Sequence, residues 1–338
     1  MYKKFFSKKT YIIAEIGGNF KNFKEAKKLI DLAVKSKVDA VKLQTYKAET
    51  IASKRAIFEM ENTGKTSQFN LFKKYEVDYD LHKKIFKYAK KKNIDFFSTP
   101  SHESDVDLLE KFNVKIHKIG SDDAVNLPFL KYVARTKKII ILSTGMCDLN
   151  EVKEAVKTIK SEGNNNIVLL HCTSCYPTYP EDANLNSIRT LIETFPKIPI
   201  GYSDHTLDTT ASCAAVSIGA KVIEKHFTFN KKAKGPDHML SSDPKDMTEI
   251  VSRIRLIEKL KGSNLKKPAK GEYKNRVNNR KSIVLKIDIS KNTILKKNYL
   301  AIKRPGSGIY PKFINKVVGR KITINAKEDH ILKWNEIK

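Results

Sequence analysis

Ile198-Pro-Ile-Gly-Tyr-Ser-Asp-His205 and Val222-Ile-Glu-Lys-His-Phe227 are short apolar runs that each contain a histidine near the end. Their length and composition are typical of buried β-strands, and helical patterns with apolar residues three or four positions apart alternate with such runs along the chain. This alternation predicts an α/β fold, a parallel (β/α)8 TIM barrel, with a doubly wound open sheet as the alternative. The eight predicted strands are Tyr11–Glu15, Ala40–Gln44, Asp95–Thr99, Ile116–Ile119, Ile139–Ser143, Ile167–Cys172, Ile198–Tyr202 and Val222–Phe227.

The composition changes after Leu260, which predicts a second, smaller domain. Residues 263–281 are rich in Lys, Asn and Gly and are interpreted as a linker between a barrel domain, 1–262, and a β-rich domain, 282–338. The last stretch contains short alternating runs and turn signals at Pro305-Gly306 and Ser307-Gly308. A domain of this size is barely able to bury a core alone, so docking onto the barrel or onto a partner chain is expected.

The overall composition limits the functional classes. The chain of 338 residues is 40% hydrophobic and 30% charged, which suits a large folded core. We see no signal-type apolar segment near Met1 and no apolar run of about 18 residues, so a cytoplasmic protein without a membrane partner is expected. The net charge is +28, but only nine of the 65 basic residues are arginine and the lysines are dispersed. We therefore expect no nucleic-acid partner.

Polar residues stand at the end of every predicted strand, where the active sites of such barrels lie. Two of them, Lys42 and Lys118, carry amines that attract anions, and the hydroxyl groups among them donate hydrogen bonds without adding charge. The convergence predicts a site for a small phosphorylated anion. The strand-end residues are Glu15, Lys42, Gln44, Ser98, Thr99, Lys118, Ser121, Ser143, Thr144, Thr173, Ser174, Ser203, Asp204, His205, Lys225 and His226.

His205 and His226 end neighbouring strands and form the best candidate pair of metal ligands. Imidazoles beside the carboxylates of Glu15 and Asp204 suit Mn²⁺ or a similar divalent ion acting as a Lewis acid. A structural zinc site is not expected, because Cys172-Thr-Ser-Cys175 has no second Cys-x-x-Cys. Glu15 is a candidate general base, and a salt bridge with Lys42 or Lys118 is the structural alternative.

Ten motifs, in order along almost the whole chain, resemble the sialic acid synthase family, including its C-terminal antifreeze-like (SAF, β-clip) domain. They are Ala14-Glu-Ile-Gly17, Val41-Lys-Leu-Gln-Thr45, Phe97-Ser-Thr-Pro100, Lys118-Ile-Gly-Ser121, Leu142-Ser-Thr-Gly-Met146, Leu170-His-Cys-Thr173 with Tyr176-Pro177, Gly201-Tyr-Ser-Asp-His-Thr206, Glu224-Lys-His-Phe-Thr228, Gly235-Pro-Asp-His238 and Lys303-Arg-Pro-Gly306.

The resemblance implies condensation of phosphoenolpyruvate with an N-acylated hexosamine, which gives a nonulosonic acid and phosphate by C–O cleavage. It further implies Mn²⁺, or another divalent ion such as Mg²⁺ or Co²⁺, on His205 and His226, and a domain-swapped homodimer. The predicted catalytic residues are Glu15, Lys42, Lys118 and Asp123, and by motif position Lys42 and Lys118 resemble phosphoenolpyruvate contacts. The substrate-binding residues that the resemblance implies are Gln44, Thr99, Ser121, Ser143, Ser174, Tyr176, Ser203, Asp237 and Arg304.

Three departures from the family pattern bear on the sugar acceptor. The loop after Glu15 has Phe20 where a polar imidazole is common, Asp122-Asp123 replaces Gly-Glu, and Ser174 replaces Asn. N-acetylmannosamine is the leading acceptor, and di-N-acetylated trideoxy hexoses, which give legionaminate or pseudaminate, are the alternative. Another phosphoenolpyruvate aldol-type synthase and a non-catalytic protein that binds sugars or anions are the remaining hypotheses.

Overall fold

The structure, a computed structural model, describes residues 1–61 and 63–338, without the side chain of Met60. The chain forms two compact units, Met1–Gly262 and Ser263–Lys338. No helix within the described residues is long and apolar enough to cross a membrane.

The first unit is a closed barrel of eight parallel strands, which confirms the predicted fold. The eight barrel strands follow one another around the barrel in chain order, and the last pairs with the first to close it. A two-stranded hairpin is inserted after the second barrel strand. The strands of this unit are β1 (Tyr11–Glu15), β2 (Ala40–Thr45), β3 (Ile57–Met60), β4 (Gly64–Ser67), β5 (Asp95–Pro100), β6 (Ile116–Ile119), β7 (Ile139–Ser143), β8 (Ile167–Cys172), β9 (Ile200–Asp204) and β10 (Val222–His226).

Of the ten helices described in the first unit, seven connect successive barrel strands, two belong to the insertion, and the last follows the final barrel strand. Side-chain caps fix several helix starts; Asp148, for example, accepts hydrogen bonds from Asn150 and Glu151. The helices are α1 (Phe23–Lys35), α2 (Ala48–Ile51), α3 (Gln68–Tyr75), α4 (Tyr79–Lys91), α5 (Glu103–Lys111), α6 (Leu127–Arg135), α7 (Leu149–Ser161), α8 (Ser187–Thr194), α9 (Thr210–Ile218) and α10 (Pro244–Lys261). Short 3-10 turns span Tyr2–Phe6 and Pro180–Asp182.

Two apolar clusters hold the barrel together, because strands of a parallel barrel bury both faces. The larger cluster lies between the strands and the helices, and the smaller one fills the barrel towards its amino end. The N-terminal 3-10 turn contributes Phe5, which is only 1% exposed, to the smaller cluster. Tyr2 packs against the same cluster and donates its hydroxyl to the carbonyl of Ile167. No sequence pattern predicts this packing role for the N-terminal turn.

The second unit has its own small apolar core, which includes Ile283, Leu295 and Ile322. Its strands β11 (Ser282–Leu285) and β12 (Leu300–Lys303) pair antiparallel, and isolated bridges such as Ile289–Ala326 extend the β-rich structure. The predicted linker, 263–281, contains a 3-10 turn and a helix and clusters with this unit. The helical elements are Lys270–Glu272, α11 (Tyr273–Asn278), Lys297–Tyr299, Pro311–Phe313, α12 (Ile314–Val317) and Trp334–Glu336.

Candidate active site

A pocket of about 520 Å³ opens at the carboxyl ends of the barrel strands. Thirteen of the fifteen residues that the sequence analysis assigned to the site line it, and they come from all eight strands or from the turns that follow them. The parallel order of the strands explains this convergence, because all the carboxyl ends face the same side. The lining includes Glu15, Lys42, Gln44, Thr99, Lys118, Ser121, Ser143, Ser174, Tyr176, Ser203, His205, His226 and Asp237.

Two buried lysines form the positive part of the pocket. Lys42 Nζ donates to Thr99 Oγ1 at 2.8 Å, and Lys118 Nζ donates to Ser143 Oγ at 2.7 Å and to the carbonyl of Ile119 at 3.0 Å. Burial lowers the pKa of Lys42 to about 8, although the Glu224 carboxylate opposes this shift. The hydroxyls and amines thus surround a space suited to an anion with several oxygens.

The turn after β7 supplies a further group of polar atoms. Ser121 Oγ accepts a hydrogen bond from the backbone N–H of Gly145 at 3.0 Å. A Cβ atom at Gly145 would lie 2.3 Å from Ser174 Oγ and 2.9 Å from Ser121 Oγ. Only glycine therefore allows both hydroxyls to approach this backbone, which places Ser121 and Ser174 side by side in the lining.

Glu15 is held in one orientation from two sides. Its Oε2 forms an ion pair with Lys42, and its Oε1 accepts a hydrogen bond from the backbone N–H of Gly17. A Cβ atom at Gly17 would lie 2.6 Å from Oε1 and 2.8 Å from Gln44 Cγ, so a side chain there would displace the carboxylate or Gln44. The structural alternative from the sequence analysis, a salt bridge with Lys42, is therefore present, and Glu15 also lines the pocket.

Glu224 is a pocket residue to which the sequence analysis gave no role. The carboxylate is buried, accepts a hydrogen bond from Ser203 Oγ at 3.2 Å and lies 3.7 Å from Lys118 Nζ. Burial alone would raise its pKa, but the ammonium groups of Lys118 and Lys42 hold the pKa below its usual value. No described residue hydrogen-bonds its Oε2 atom. The signal that would have identified it is its position in β10, two residues before His226.

The two predicted metal ligands lie together, with ring centroids 5.5 Å apart. His205 Nδ1 lies 2.9 Å from the carbonyl of Thr173; donation to that carbonyl leaves Nε2 as the basic nitrogen. The buried Nδ1 of His226 hydrogen-bonds no described residue and lies 3.6 Å from Asp237 Oδ2. Burial and nearby cationic groups lower the pKa of His226 well below its usual value, which favours the neutral imidazole that metals bind.

The donor set suits a divalent ion that takes its remaining ligands from water and substrate. An orphaned imidazole nitrogen and an accompanying carboxylate fit Mn²⁺ chemically. The described residues contain no group of three or more His, Cys, Asp or Glu side chains arranged around one metal position. A divalent ion held by the two imidazoles would therefore need further ligands from water or substrate.

Tyr176 and Asp237 border the histidine pair. The Tyr176 ring lies 4.2 Å from the His205 ring and 6.2 Å from the His226 ring, measured between centroids. Asp237 faces Gly18, whose φ of +73° suits glycine and where a Cβ atom would lie 2.7 Å from Asp237 Oδ2. Burial raises the pKa of Asp237 to about 6.

Two of the fifteen residues with an assigned role do not line this pocket, and neither do five of the other strand-end residues, Ser98, Thr144, Thr173, Asp204 and Lys225. Asp123 turns away and accepts a hydrogen bond from the Asn126 side chain at 3.0 Å, while its neighbour Asp122 lines the pocket. Asp122 rather than Asp123 therefore lies in the lining, because the turn after β6 directs the two adjacent side chains differently, and a catalytic role for either carboxylate stays a prediction. Arg304 belongs to the second unit, where it follows β12 directly.

The insertion after β2 also contributes residues that the sequence analysis did not identify. Its part of the lining is mostly apolar and aromatic, because the hairpin β3–β4 and the helix α3 turn one side towards the pocket. A two-residue or helical period in this stretch can predict its strands and helices, but it does not predict the cavity that they border. The residues are Tyr46, Ile51, Phe58, Thr63, Gln68, Leu71, Phe72 and Tyr75.

Fold and pocket together define a (β/α)8-barrel enzyme. Comparison with known families then gives the identity: the NeuB family profile matches residues 29–266, the SAF domain profile matches residues 280–338, and the chain belongs to the NeuB family. This confirms the family and the small domain that the motifs predicted.

Individual relatives agree with this assignment. The chain is 43% identical to the N,N'-diacetyllegionaminic acid synthase of Campylobacter jejuni over 96% of this chain and 99% of that one. It is 34% identical to human N-acetylneuraminate-9-phosphate synthase over 94% and 90% of the two chains. The crystal structure of the N-acetylneuraminic acid synthetase from Leptospira borgpetersenii matches with a TM-score of 0.72 and 33% identity, covering 79% of this chain and 90% of that one.

Proposed function

We propose that this protein condenses phosphoenolpyruvate with an N-acylated hexosamine, N-acetylmannosamine or a di-N-acetylated relative, to give a nonulosonic acid and free phosphate. The observation that supports this function best is the single pocket that holds two buried lysines, several hydroxyls and a histidine pair. The reaction needs these parts together, because an anion and a neutral sugar aldehyde must meet in one orientation. The names of the relatives given above agree with this chemistry.

Phosphoenolpyruvate binds through Lys42, Lys118 and the hydroxyls beside them in this proposal. Thr99 and Ser143 already accept hydrogen bonds from the two amines, so each hydroxyl proton is available to a phosphate oxygen. The fixed cations also stabilise the negative charge on phosphate as the C–O bond breaks. Ser121, Ser174 and Ser203 supply further donors around the same space.

The acceptor binds between Tyr176, Asp237 and Gln44, with its aldehyde towards His205 and His226. A divalent ion such as Mn²⁺, held by the two imidazoles, would polarise the aldehyde oxygen as a Lewis acid. Tyr176 packs against both imidazoles and fixes their orientation, and Asp237 accepts a hydrogen bond from a sugar hydroxyl. C3 of the enol then attacks the aldehyde carbon.

Water must add to C2 after the new C–C bond forms, and Glu15 is the proposed residue that orients and deprotonates it. Its carboxylate is fixed by Lys42 and the Gly17 N–H, so little reorganisation is needed. Glu224 is proposed as a second group that accepts a proton, or a hydrogen bond from a substrate hydroxyl, since its Oε2 hydrogen-bonds no described residue. Asp122 takes the role that the sequence analysis gave to Asp123, because only Asp122 lines the pocket.

The direct test is phosphate release from phosphoenolpyruvate in the presence of Mn²⁺ and one acceptor at a time. The acceptors are N-acetylmannosamine, the two di-N-acetylated trideoxy hexoses and a phosphorylated aldose. Release with an N-acylated hexosamine, accompanied by a nine-carbon keto acid in mass spectrometry, is the expected result. The proposal is contradicted if phosphate is released with the phosphorylated aldose and with no N-acylated hexosamine. It is also contradicted if none of the acceptors supports phosphate release.

Two further proposals concern the setting of the enzyme. The first is a homodimer in which Arg304 of one protomer contacts the acyl group of the sugar bound by its partner. Sedimentation velocity and mixed-mutant complementation test it.

The second proposal is a cytoplasmic location, since phosphoenolpyruvate is a cytoplasmic metabolite and the described residues contain no helix suited to crossing a membrane. Fractionation of cells that express a tagged chain tests it.

A further inference from the structure

The longest connection after any barrel strand in the described chain is the one that follows β2. It runs from Tyr46 to the start of α4 and contains α2, the hairpin β3–β4 and α3. Loops at the carboxyl ends of barrel strands usually determine what the site accepts, whereas the strands carry the shared chemistry. This connection is therefore the place to look for substrate selection.

Four apolar side chains of this connection, Ile51, Phe58, Leu71 and Phe72, line the pocket and are named here the apolar wall. Phe72 is at its centre: its ring lies 5.0 Å from the ring of Tyr46 at an interplanar angle of 66° and 5.6 Å from that of Phe58 at 71°. Edge-to-face packing of this kind fixes ring positions. All four side chains of the wall remain partly exposed, so they have apolar surface left to cover a ligand.

The two polar residues beside the wall, Gln68 and Thr63, donate hydrogen bonds to backbone carbonyls of the hairpin β3–β4. The Gln68 side-chain amide donates to the carbonyl of Ile57 at 3.2 Å, and the Thr63 hydroxyl donates to the carbonyl of Gly64 at 3.1 Å. The strand-end part of the pocket is different, because it contains buried Lys, Glu and His side chains. One pocket thus combines a charged region for the reaction with an apolar region that takes no part in it.

We propose that the apolar wall contacts methyl groups of the acceptor and selects a di-N-acetylated 6-deoxy hexose over N-acetylmannosamine. The proposal rests on the proposed function and adds the substrate class. In a 2,4-diacetamido-2,4,6-trideoxy hexose, C6 is a methyl group and the C4 substituent ends in a methyl group. N-acetylmannosamine carries hydroxyls at both positions, and each hydroxyl would lose water against an aromatic ring without gaining a partner.

The expected selectivity follows from what apolar contacts can achieve. A hydrophobic surface discriminates by about 10- to 200-fold for a methyl-sized difference and by about 100-fold against an added hydroxyl. We therefore expect kcat/KM to favour the di-N-acetylated 6-deoxy sugar by at least about tenfold. N-acetylmannosamine should still react slowly, because the charged region of the pocket is the same for both acceptors.

The experiment compares kcat/KM for the two acceptors at saturating phosphoenolpyruvate and Mn²⁺, using the full-length protein. Phe72→Ala is expected to reduce the preference about tenfold through the KM of the di-N-acetylated sugar, without changing the KM of phosphoenolpyruvate. Phe58→Ala, on the hairpin, should change the preference in the same direction and serves if Phe72→Ala fails to fold. Phe69→Ala is the matched control, because Phe69 is in the same helix but outside the pocket lining.

The possible results separate the two proposals. Equal kcat/KM values or a preference for N-acetylmannosamine in the wild-type protein overturn the role of the wall and leave the proposed function intact. An unchanged preference in both folded wall variants, or an equal loss in Phe69→Ala, also overturns it. Absence of phosphate release with every acceptor overturns the proposed function and, with it, the selection that rests on it.

Discussion

The two ends of the barrel use the same strands in opposite ways. At the amino end, Tyr11 of β1 packs with Phe5 in an edge-to-face pair 5.0 Å between centroids, and Lys4 pairs with Asp95. At the carboxyl end of the same strand, Glu15 pairs with Lys42 in a setting where both side chains are almost fully buried. One end is closed by apolar packing, and the other holds buried charge beside a pocket.

The two ends differ in their contribution to the free energy of unfolding: the amino end stabilises the fold, and the buried charges at the carboxyl end destabilise it. Packing Phe5 into the smaller cluster removes apolar surface from water and stabilises the barrel. Burying Lys42, Lys118, Glu15 and Glu224 costs desolvation energy, which the ion pairs offset only in part. A fold retains such a costly arrangement when the charges perform a task, so the carboxyl end is the functional end.

The largest expected effect is at the carboxyl end. His226→Ala should reduce Mn²⁺-dependent turnover on the order of a thousandfold, because polarisation of a carbonyl by a metal supplies several kcal/mol. The fold should persist, as measured by circular dichroism. His117→Ala is the control, since His117 is fully buried in β6 but does not line the pocket. Full activity in the His226 variant would remove this residue from the proposed metal site.

The amino end should respond in stability rather than in turnover. Phe5→Ala should lower the free energy of unfolding by about 3–5 kcal/mol, because a buried ring leaves a cavity behind. The KM values of the folded enzyme should not change, since the turn lies opposite the pocket. Phe6→Ala, next to it and 51% exposed, should stay within about 0.5 kcal/mol of wild type in urea unfolding. A change in KM without a loss of stability would break the contrast between the ends.

The sequence predicts the carboxyl end far better than the amino end or the insertion. Strand ends in a parallel barrel share one side, so a polar residue after an apolar run is placed by the fold itself, as with Lys118 and His226. The closing role of Phe5 and the apolar wall around Phe72 depend on packing between segments distant in sequence, which no local period encodes. Asp123 shows a third limit, because a turn decides which of two adjacent carboxylates faces the pocket.

A pH profile tests whether the reaction with phosphoenolpyruvate depends on the buried ammonium group of Lys42. The pKa of Lys42 is lowered to about 8 by burial, so its ammonium persists below that pH and is lost as the pH rises through it. The kcat/KM for phosphoenolpyruvate should therefore fall above about pH 8, by up to tenfold per pH unit. Lys42→Arg should flatten this decline, because a guanidinium stays charged, whereas Lys47→Arg on the exposed loop should retain it. An identical decline in Lys42→Arg would assign it to another group.

The smallest effect is expected at Arg304, in the second unit. It tests whether a residue from outside the barrel contributes to substrate binding at the carboxyl end, as the N-terminal turn contributes to packing at the amino end. Arg304→Ala should raise the KM of the acceptor about fivefold, which corresponds to one hydrogen bond to a neutral acyl oxygen. The KM of phosphoenolpyruvate should not change, because its proposed contacts all come from barrel strands and their turns. Arg320→Ala is the matched control in the same unit; its guanidinium lies 5.9 Å from the Trp334 ring. Equal increases in both KM values would mean that Arg304 acts on the fold or on assembly and does not contact the sugar.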